Sequence, residues 1–368
     1  MRSSSISRDV RGGAIMKVIR ITAALIAALL IACGGSETTS TTSKGQSQNA
    51  GHRVINGAGA TFPFPIYSKW FSEYGKVHPE VQINYQSIGS GGGIRQLIAR
   101  TVFFGATDGP MTDEQLKSAA GPILHFPTVL GGVVPIYNVP GVTQPIRFSG
   151  AALAGIFLGK ITKWNDPALM KGNPGVNLPA SDIAVVHRSD GSGTTYIFVD
   201  FLSKVSPEFK KKIGLATSVN WPVGVGAKGN EGISGLVKQT PGAIGYVELI
   251  FATQNSIPYG AVQNKAGEFV TASLDSVTAA AAATASSMPD DFRVSITNAD
   301  GKGAYPIASF TWLLLDQNPS DKESGRTMVD FMKWALADGQ KFAGQLGYAP
   351  LPQPVVEKEL QALQKIQL

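Results

Sequence analysis

Three short runs of glycine and hydroxyl residues hold the groups best placed to do chemistry: GAGATF (Gly57 to Phe62), GSGGG (Gly89 to Gly93) and SDGSGTT (Ser189 to Thr195). Each follows an apolar β-rich run and precedes an amphipathic one, so each lies between a strand and a helix. The first four N–H groups of a helix have no internal acceptor and carry partial positive charge, which makes such a turn a ready anion site. Thr61 and Ser90 each add a hydroxyl and an amide, while Ser192, Gly193 and Thr194 add two hydroxyls and a run of amides. Arg188 and Asp190 stand beside the third turn. Gly, Ser and Thr also serve strand-to-helix loops and N-caps with no ligand involved. Three such turns, one carrying an arginine, point to a small tetrahedral anion.

A fourth piece is FGATDGP (Phe104 to Pro110), where an apolar strand end releases Asp108 into a turn. A carboxylate beside an anion site is wrong on charge unless the ligand keeps a proton, because an ionised Asp can only accept hydrogen bonds. Monohydrogen or dihydrogen phosphate can donate to it, whereas sulfate at neutral pH brings no proton and meets repulsion. Asp108 would then choose between look-alike oxyanions. Read alone, it is equally a turn or cap aspartate.

Other chemistries fit less well. One cysteine (Cys33) and four scattered histidines (His52, His78, His125, His187) give no metal-ligand spacing, so neither a metal nor a cofactor is expected. GVGAKG (Gly224 to Gly229) fits a dinucleotide-binding expression, and Glu248 lies at a ribose-contact distance downstream. Trp221-Pro222 precedes it where a strand should open a βαβ unit, so it reads as a close-packed turn and helix start. Catalysis would need Ser192 or Ser90 as a nucleophile, with His187 or Asp190 as its base. No G-x-S-x-G elbow or metalloprotease motif is present, and His187 alternates to the side of its strand opposite Arg188. A secreted hydrolase or phosphatase using the same oxyanion loops is the alternative, and no catalytic residue is assigned. A structural surface adhesin would need no such Asp and Arg.

The elements that position these groups follow from composition and patterning. The chain has 368 residues, 43% hydrophobic and 16% charged, with 42 Gly and 22 Pro, which suits a folded protein of about two domains. Val54 to Ala58, Val81 to Ile88 and Ile183 to His187 read as strands. Ile66, Trp70, Phe71 and Tyr74, then Ile94, Leu97 and Ile98, then Ile197, Phe198, Phe201, Leu202 and Val205 fall at helical spacing. This is the grammar of α/β layers with mostly parallel sheets. Phe126 to Tyr137 and Tyr305 to Leu315 are apolar stretches suited to cross between two lobes, which makes one lobe discontinuous. The expected division is 52–134 with 307–368, against 135–306. The Ala-rich segment Thr278 to Ala285 reads as a helix ended by Met288 to Asp291.

The N-terminus reads as an export leader. Ile21 to Ala32 is an uncharged apolar run behind Lys17 and Arg20, too short to span a bilayer. Its end, Leu30-Ile31-Ala32-Cys33, resembles the lipobox of bacterial lipoproteins, in which the cysteine is acylated. The expectation is a signal peptide over 1–32, with translation starting at Met16, and a lipidated tether over 33–51. Gly34 to Ala50 has no large apolar residue to offset the entropy of ordering it. The formal charge of +6 falls to +2 without residues 1–32, leaving 27 basic against 25 acidic residues, and no basic patch suited to nucleic acid.

Taken together, the four segments resemble the periplasmic phosphate-binding proteins of Pst-type ABC transporters. FPTVLGGVVPIYN (Phe126 to Asn138), IFLGKITKWND (Ile156 to Asp166), WPVGVGAKGNEGI (Trp221 to Ile233) and PGAIGYVE (Pro241 to Glu248) extend the similarity over nearly all of the chain past the tether. The resemblance implies the two-lobed α/β periplasmic-binding-protein fold of type II, with phosphate in the interlobe cleft. It implies that Thr61, Phe62, Ser90, Ser192, Gly193 and Thr194 donate to phosphate, that Asp108 accepts, that Arg188 is the cationic contact, and that Asp190 pairs with Arg188. Its partners would be inorganic phosphate and an ABC permease with its ATPase. The protein would be a monomer held at the bacterial envelope, on the periplasmic face or outer cell surface, through Cys33. Departures are Gly91 where a second Ser is common, Thr107 before the key Asp, and the lipobox itself.

Overall fold

The computed structural model describes residues 52–284 and 288–368. The leader, Cys33 and the tether lie outside the described residues. The central feature is an eight-stranded sheet in the order β2-β1-β3-β11-β4-β8-β6-β7. Its strands are β1 (Arg53–Gly59), β2 (Val81–Ser87), β3 (Phe104–Thr107), β4 (Ile123–Asn138), β6 (Ala184–Arg188), β7 (Val225–Ala227), β8 (Ala243–Glu248) and β11 (Ala308–Asp316). A small second sheet joins β5 (Arg147–Phe148), β9 (Ala261–Gln263) and β10 (Phe269–Val270).

The large sheet is two half-sheets joined through β4, whose sixteen residues make it the longest described strand. Its first half pairs antiparallel with β11, from Ile123 opposite Asp316 to Gly132 opposite Ala308. Its second half pairs antiparallel with β8, from Val133 opposite Glu248 to Asn138 opposite Ala243. Both apolar stretches expected to cross between lobes are therefore the central strands, β4 and β11. The flanks are parallel, as the alternating pattern predicts: β1 with β2 and β3, and β6 with β7 and β8. At the centre β4 runs antiparallel to both of its neighbours, β11 and β8.

The helices are α1 (Phe64–Val77), α2 (Ser90–Ile98), α3 (Asp113–Ser118), α4 (Gly150–Phe157), α5 (Pro167–Gly172), α6 (Gly193–Val205), α7 (Pro207–Lys212), α8 (Gly229–Gln239), α9 (Leu249–Gln254), α10 (Leu274–Ala282), α11 (Lys322–Leu336) and α12 (Gln353–Leu363). Of these, α1 and α2 pack on the first half-sheet, α6, α8 and α9 on the second, α10 against both β4 and β11, and α5 on β5 of the small sheet. The α1 stripe buries Ile66, Tyr67, Trp70 and Tyr74, and α6 buries Ile197, Phe198, Phe201 and Leu202. Two aromatic clusters lie in one continuous core: Phe71, Phe104 and Phe331 on one side, Phe157, Phe198 and Tyr246 on the other. Their edge and offset contacts add to the area they bury. The Ala-rich helix starts earlier than its alanines suggest. Ser273 caps it just ahead of Leu274 in a capping box closed by Ser276, and the helix stops at Ala282. No helix among the described residues is long and apolar enough to cross a membrane.

Candidate functional site

All four segments singled out by their chemistry meet where the two half-sheets face each other. The first turn follows β1. Tyr85 Oη donates to the Ala60 carbonyl at 2.7 Å and Tyr348 Oη to the Phe62 carbonyl at 2.6 Å. These bonds fix the loop on both sides of Thr61, while the Phe62 ring is buried against Tyr348. Helix α1 begins at Phe64 behind its N-cap Pro63, so Phe62 and Thr61 lie two and three residues before the helix rather than in its first turn. In the second turn Gly89 takes φ +85°, the left-handed region that glycine tolerates best, and Ser90 is the first residue of α2. The Asp108 amide donates to Ser90 Oγ at 3.2 Å, joining the second segment to the fourth.

The third turn is joined to the second by the Gly91 amide, which donates to the Gly191 carbonyl at 2.9 Å. A Cβ on Gly91 would stand 3.1 Å from the Gly191 Cα, so the glycine that departs from the family pattern permits this close approach. Ser192 is the N-cap of α6, and its Oγ accepts from the Thr195 amide at 3.0 Å. Its own amide donates to the Thr217 carbonyl at 2.7 Å. That corrects the expectation that Ser192 opens the run of free amides: its hydroxyl proton is what it has left to give. The Gly193 and Thr194 amides, first in the helix, have no helical acceptor.

Arg188 ends β6 with a buried side chain and meets Asp190 in a fork, Nε to Oδ1 at 2.7 Å and Nη2 to Oδ2 at 2.6 Å. Its Nη1 reaches Thr194 Oγ1 at 3.4 Å. Burial alone pushes the Asp190 carboxyl up, but the Arg188 bonds and charge, with the Gly229 amide, bring it below its ordinary value. The arginine charge is thus largely balanced before any ligand arrives.

Asp108 is buried just past β3. Burial pushes its carboxyl up to about 7, with the Thr311 hydroxyl, the Arg188 charge and Ser90 acting the other way. Thr107, the second departure, shapes this turn: its hydroxyl accepts from the Gly109 amide at 3.3 Å.

Three site residues were missed from sequence. Thr311, one of two hydroxyl residues in the apolar run of β11 with Ser309, donates to Asp108 Oδ1 at 2.8 Å. A hydroxyl in a buried apolar strand must find a partner, so this one was readable. Asn230 lies at the start of α8 with its side chain between Thr61 and Thr194. The glycine-rich run opens a helix at Gly229, as expected, but it also carries a short strand, β7, where only a turn was expected, and its use in the site carries no motif. Glu248, first weighed as a ribose contact, ends β8 fully buried with neither carboxyl oxygen hydrogen-bonded. Burial first, and the Asp108 charge next, hold it well above the usual carboxyl range, with Arg188 and the nearby Thr194 hydroxyl opposing.

Ser192 and His187 are not paired as nucleophile and base. The His187 ring stacks on Trp221 at 5.5 Å and its Nδ1 faces the Arg188 carbonyl, while Ser192 Oγ is engaged as a cap. Among the described residues there is no cluster of His, Cys, Asp and Glu suited to a metal ion.

Known proteins share this arrangement of sequence and fold. The PBP superfamily domain matches residues 36–338. The phosphate-binding protein PstS of Xylella fastidiosa is 46% identical over 330 residues, 89% of this chain and 90% of that protein. The phosphate-binding protein PstS of Methanocaldococcus jannaschii is 38% identical over 336 residues, 85% of this chain and 86% of that one. Among solved structures, a high-affinity periplasmic phosphate-binding protein bound with phosphate superposes with a TM-score of 0.66 at 22% identity, covering 83% of this chain and 92% of its own. An ABC-type phosphate transport receptor from Vibrio cholerae gives 0.54 at 19%, covering 81% and 100%. At these identities the structural likeness speaks to the two-lobed fold alone.

Proposed function

This chain belongs to the PBP superfamily and, within it, to the PstS phosphate-binding proteins, and from that premise we propose that it captures inorganic phosphate between its lobes and delivers it to an ABC-type import permease. The observation that carries the reading is convergence: amides and hydroxyls of three turns, one charge-balanced arginine and one aspartate share a single buried locus. Thr61, Phe62, Ser90, Gly193 and Thr194 would supply backbone or hydroxyl donors to the phosphate oxygens, Ser192 its hydroxyl, and Arg188 the one cationic contact. Replacing the hydration shell of a phosphate by fixed donors needs no rearrangement of the site once the lobes have closed over it.

Asp108 would read the ligand's proton. Its Oδ2 has no hydrogen-bond partner in the protein, and a bound phosphate hydroxyl would donate there. Sulfate can offer no such proton.

The lobes in this reading are 52–134 with 307–368, and 135–306. Closure would turn on β4 and β11, together with the segment that precedes β11. That segment touches both sides: Trp312 Nε1 donates to the Phe292 carbonyl at 2.9 Å, and Lys204 Nζ to the Thr297 carbonyl at 3.1 Å. The protein would act without catalysis and as a monomer. Export would leave it tethered at the envelope through acylated Cys33.

Equilibrium dialysis of the purified protein against labelled phosphate tests the binding directly. One phosphate retained per chain at micromolar concentration or below is the expected result, and no retention would overturn the reading.

A further inference from the structure

We propose that Asn230 is a positioning residue that fixes the direction of two threonine hydroxyls, so that both donate to the bound anion. The inference rests on the phosphate reading above and concerns a residue to which that reading gives no role. Asn230 Nδ2 donates to Thr61 Oγ1 at 2.8 Å and to Thr194 Oγ1 at 3.3 Å. One carboxamide therefore uses its two protons on hydroxyls from opposite walls of the site, one after β1 and one in the first turn of α6. Its side chain is wholly buried, and its own Oδ1 has no partner, so all of its hydrogen bonding is on the donor side.

A hydroxyl has one proton and two lone pairs, and it turns to suit its neighbours. Thr194 Oγ1 also receives Arg188 Nη1 at 3.4 Å, so both of its lone pairs are occupied by donors. Its proton must point away from both of them, which leaves the anion and the buried Glu248 carboxyl as the acceptors within its reach. At Thr61 Oγ1 the shorter of the two Asn230 bonds occupies one lone pair and so disfavours one of the hydroxyl's accepting orientations. Without Asn230 each hydroxyl could rotate to accept, and an anion, which offers only acceptors at most of its oxygens, would lose donors already turned toward it. Gly229 sets this up. At φ +72° its amide donates to Asp190 Oδ1 at 3.2 Å, which ties the start of α8 to the Arg188–Asp190 pair and brings Asn230 under the threonines.

The test is a mutant cycle on the full chain, titrating inorganic phosphate by calorimetry, with a ligand-free thermal melt of each variant as the folding control. Asn230→Ala should weaken phosphate by about tenfold in the native background and by less than about twofold when Thr61 and Thr194 are both valine. Equal losses in the two backgrounds would overturn the proposal, because a merely structural role does not depend on those hydroxyls. Asn230→Asp keeps the shape but can only accept, so it should weaken phosphate by about a hundredfold or more at pH 8. An Asn230→Asp variant with native affinity would mean that the amide accepts from the threonines, and would equally overturn it. If the native protein itself bound no phosphate, the reading beneath the proposal would fall instead, a result distinct from both.

Discussion

Asp108 Oδ1 accepts a hydrogen bond from Thr311 Oγ1 at 2.8 Å, and its other oxygen, Oδ2, has no partner in the protein. One acceptor position is thus filled from the β11 side and one is left for a ligand. Because Thr311 also fixes the orientation of the carboxyl, the free oxygen faces a defined point beside Gly193, where an added Cβ would lie closer than 3.0 Å to it.

The same burial makes Asp108 a source of pH-dependent stability. Its carboxyl moves from 3.8 to about 7 on folding, so the native state holds a proton that the unfolded chain has released. Its stabilising contribution is complete below about pH 4 and is lost as pH rises through about 7. Burial gives Glu248 and Glu359 shifts of the same sign. Ligand-free protein should melt at a lower temperature at pH 8 than at pH 5.5. Asp108→Asn should flatten that dependence by on the order of 2 kcal/mol. Melts of both proteins across this range check it, and parallel curves would contradict it.

Gly193 leaves no room for a side chain. A Cβ there would come closer than 3.0 Å to both Ser90 Oγ and Asp108 Oδ2, across the interface between the half-sheets. Gly193→Ala should push the second and third turns apart and cost at least about tenfold in phosphate affinity. The ligand-free melting temperature should fall as well, because Ser90 and Asp108 are buried and must shift to admit the methyl group, which outweighs the better helix propensity of alanine.

Removing the guanidinium should act on binding more than on fold. Arg188→Ala takes away a charged donor and leaves Asp190, 13% exposed, without its partner. The loss expected is about 2 to 3 kcal/mol, roughly 30- to 150-fold in Kd. Arg188→Ala/Asp190→Asn, which removes the orphaned negative charge as well, should recover part of it. Calorimetric titration of the two variants measures both effects.

The proposed anchor has its own test. In cells fed a labelled fatty acid, the native chain should carry label and Cys33→Ser should not; label on both would remove the acylation claim.

How far the sequence could be read depended on whether a residue's role had a local signature. The turns at Gly57, Gly89 and Ser189 were legible because three glycine–hydroxyl runs, one beside an arginine, recur between strands and helices, although any one of them alone also suits an ordinary N-cap. Asp108 stood out because a strand released it into a turn. The antiparallel centre of the sheet was not legible, since strand direction at β4 depends on which distant strand pairs with it. Asn230 escaped for a different reason. Asparagine is favoured as an N-cap, and here the cap is Lys228 and Asn230 falls one residue into α8, a misplacement that only coordinates explain. Glu248 was noticed for the wrong chemistry, because burial of a carboxyl at the end of a strand cannot be read from one chain.

The most direct measurement is calorimetric titration of the native protein and Asp108→Asn with phosphate and with sulfate at pH 8. Selection by the ligand's proton predicts tight phosphate binding and no detectable sulfate binding by the native protein, with measurable sulfate binding once residue 108 carries an amide that can donate. Comparable affinities of the native protein for both anions, or sulfate rejection unchanged in Asp108→Asn, would contradict it.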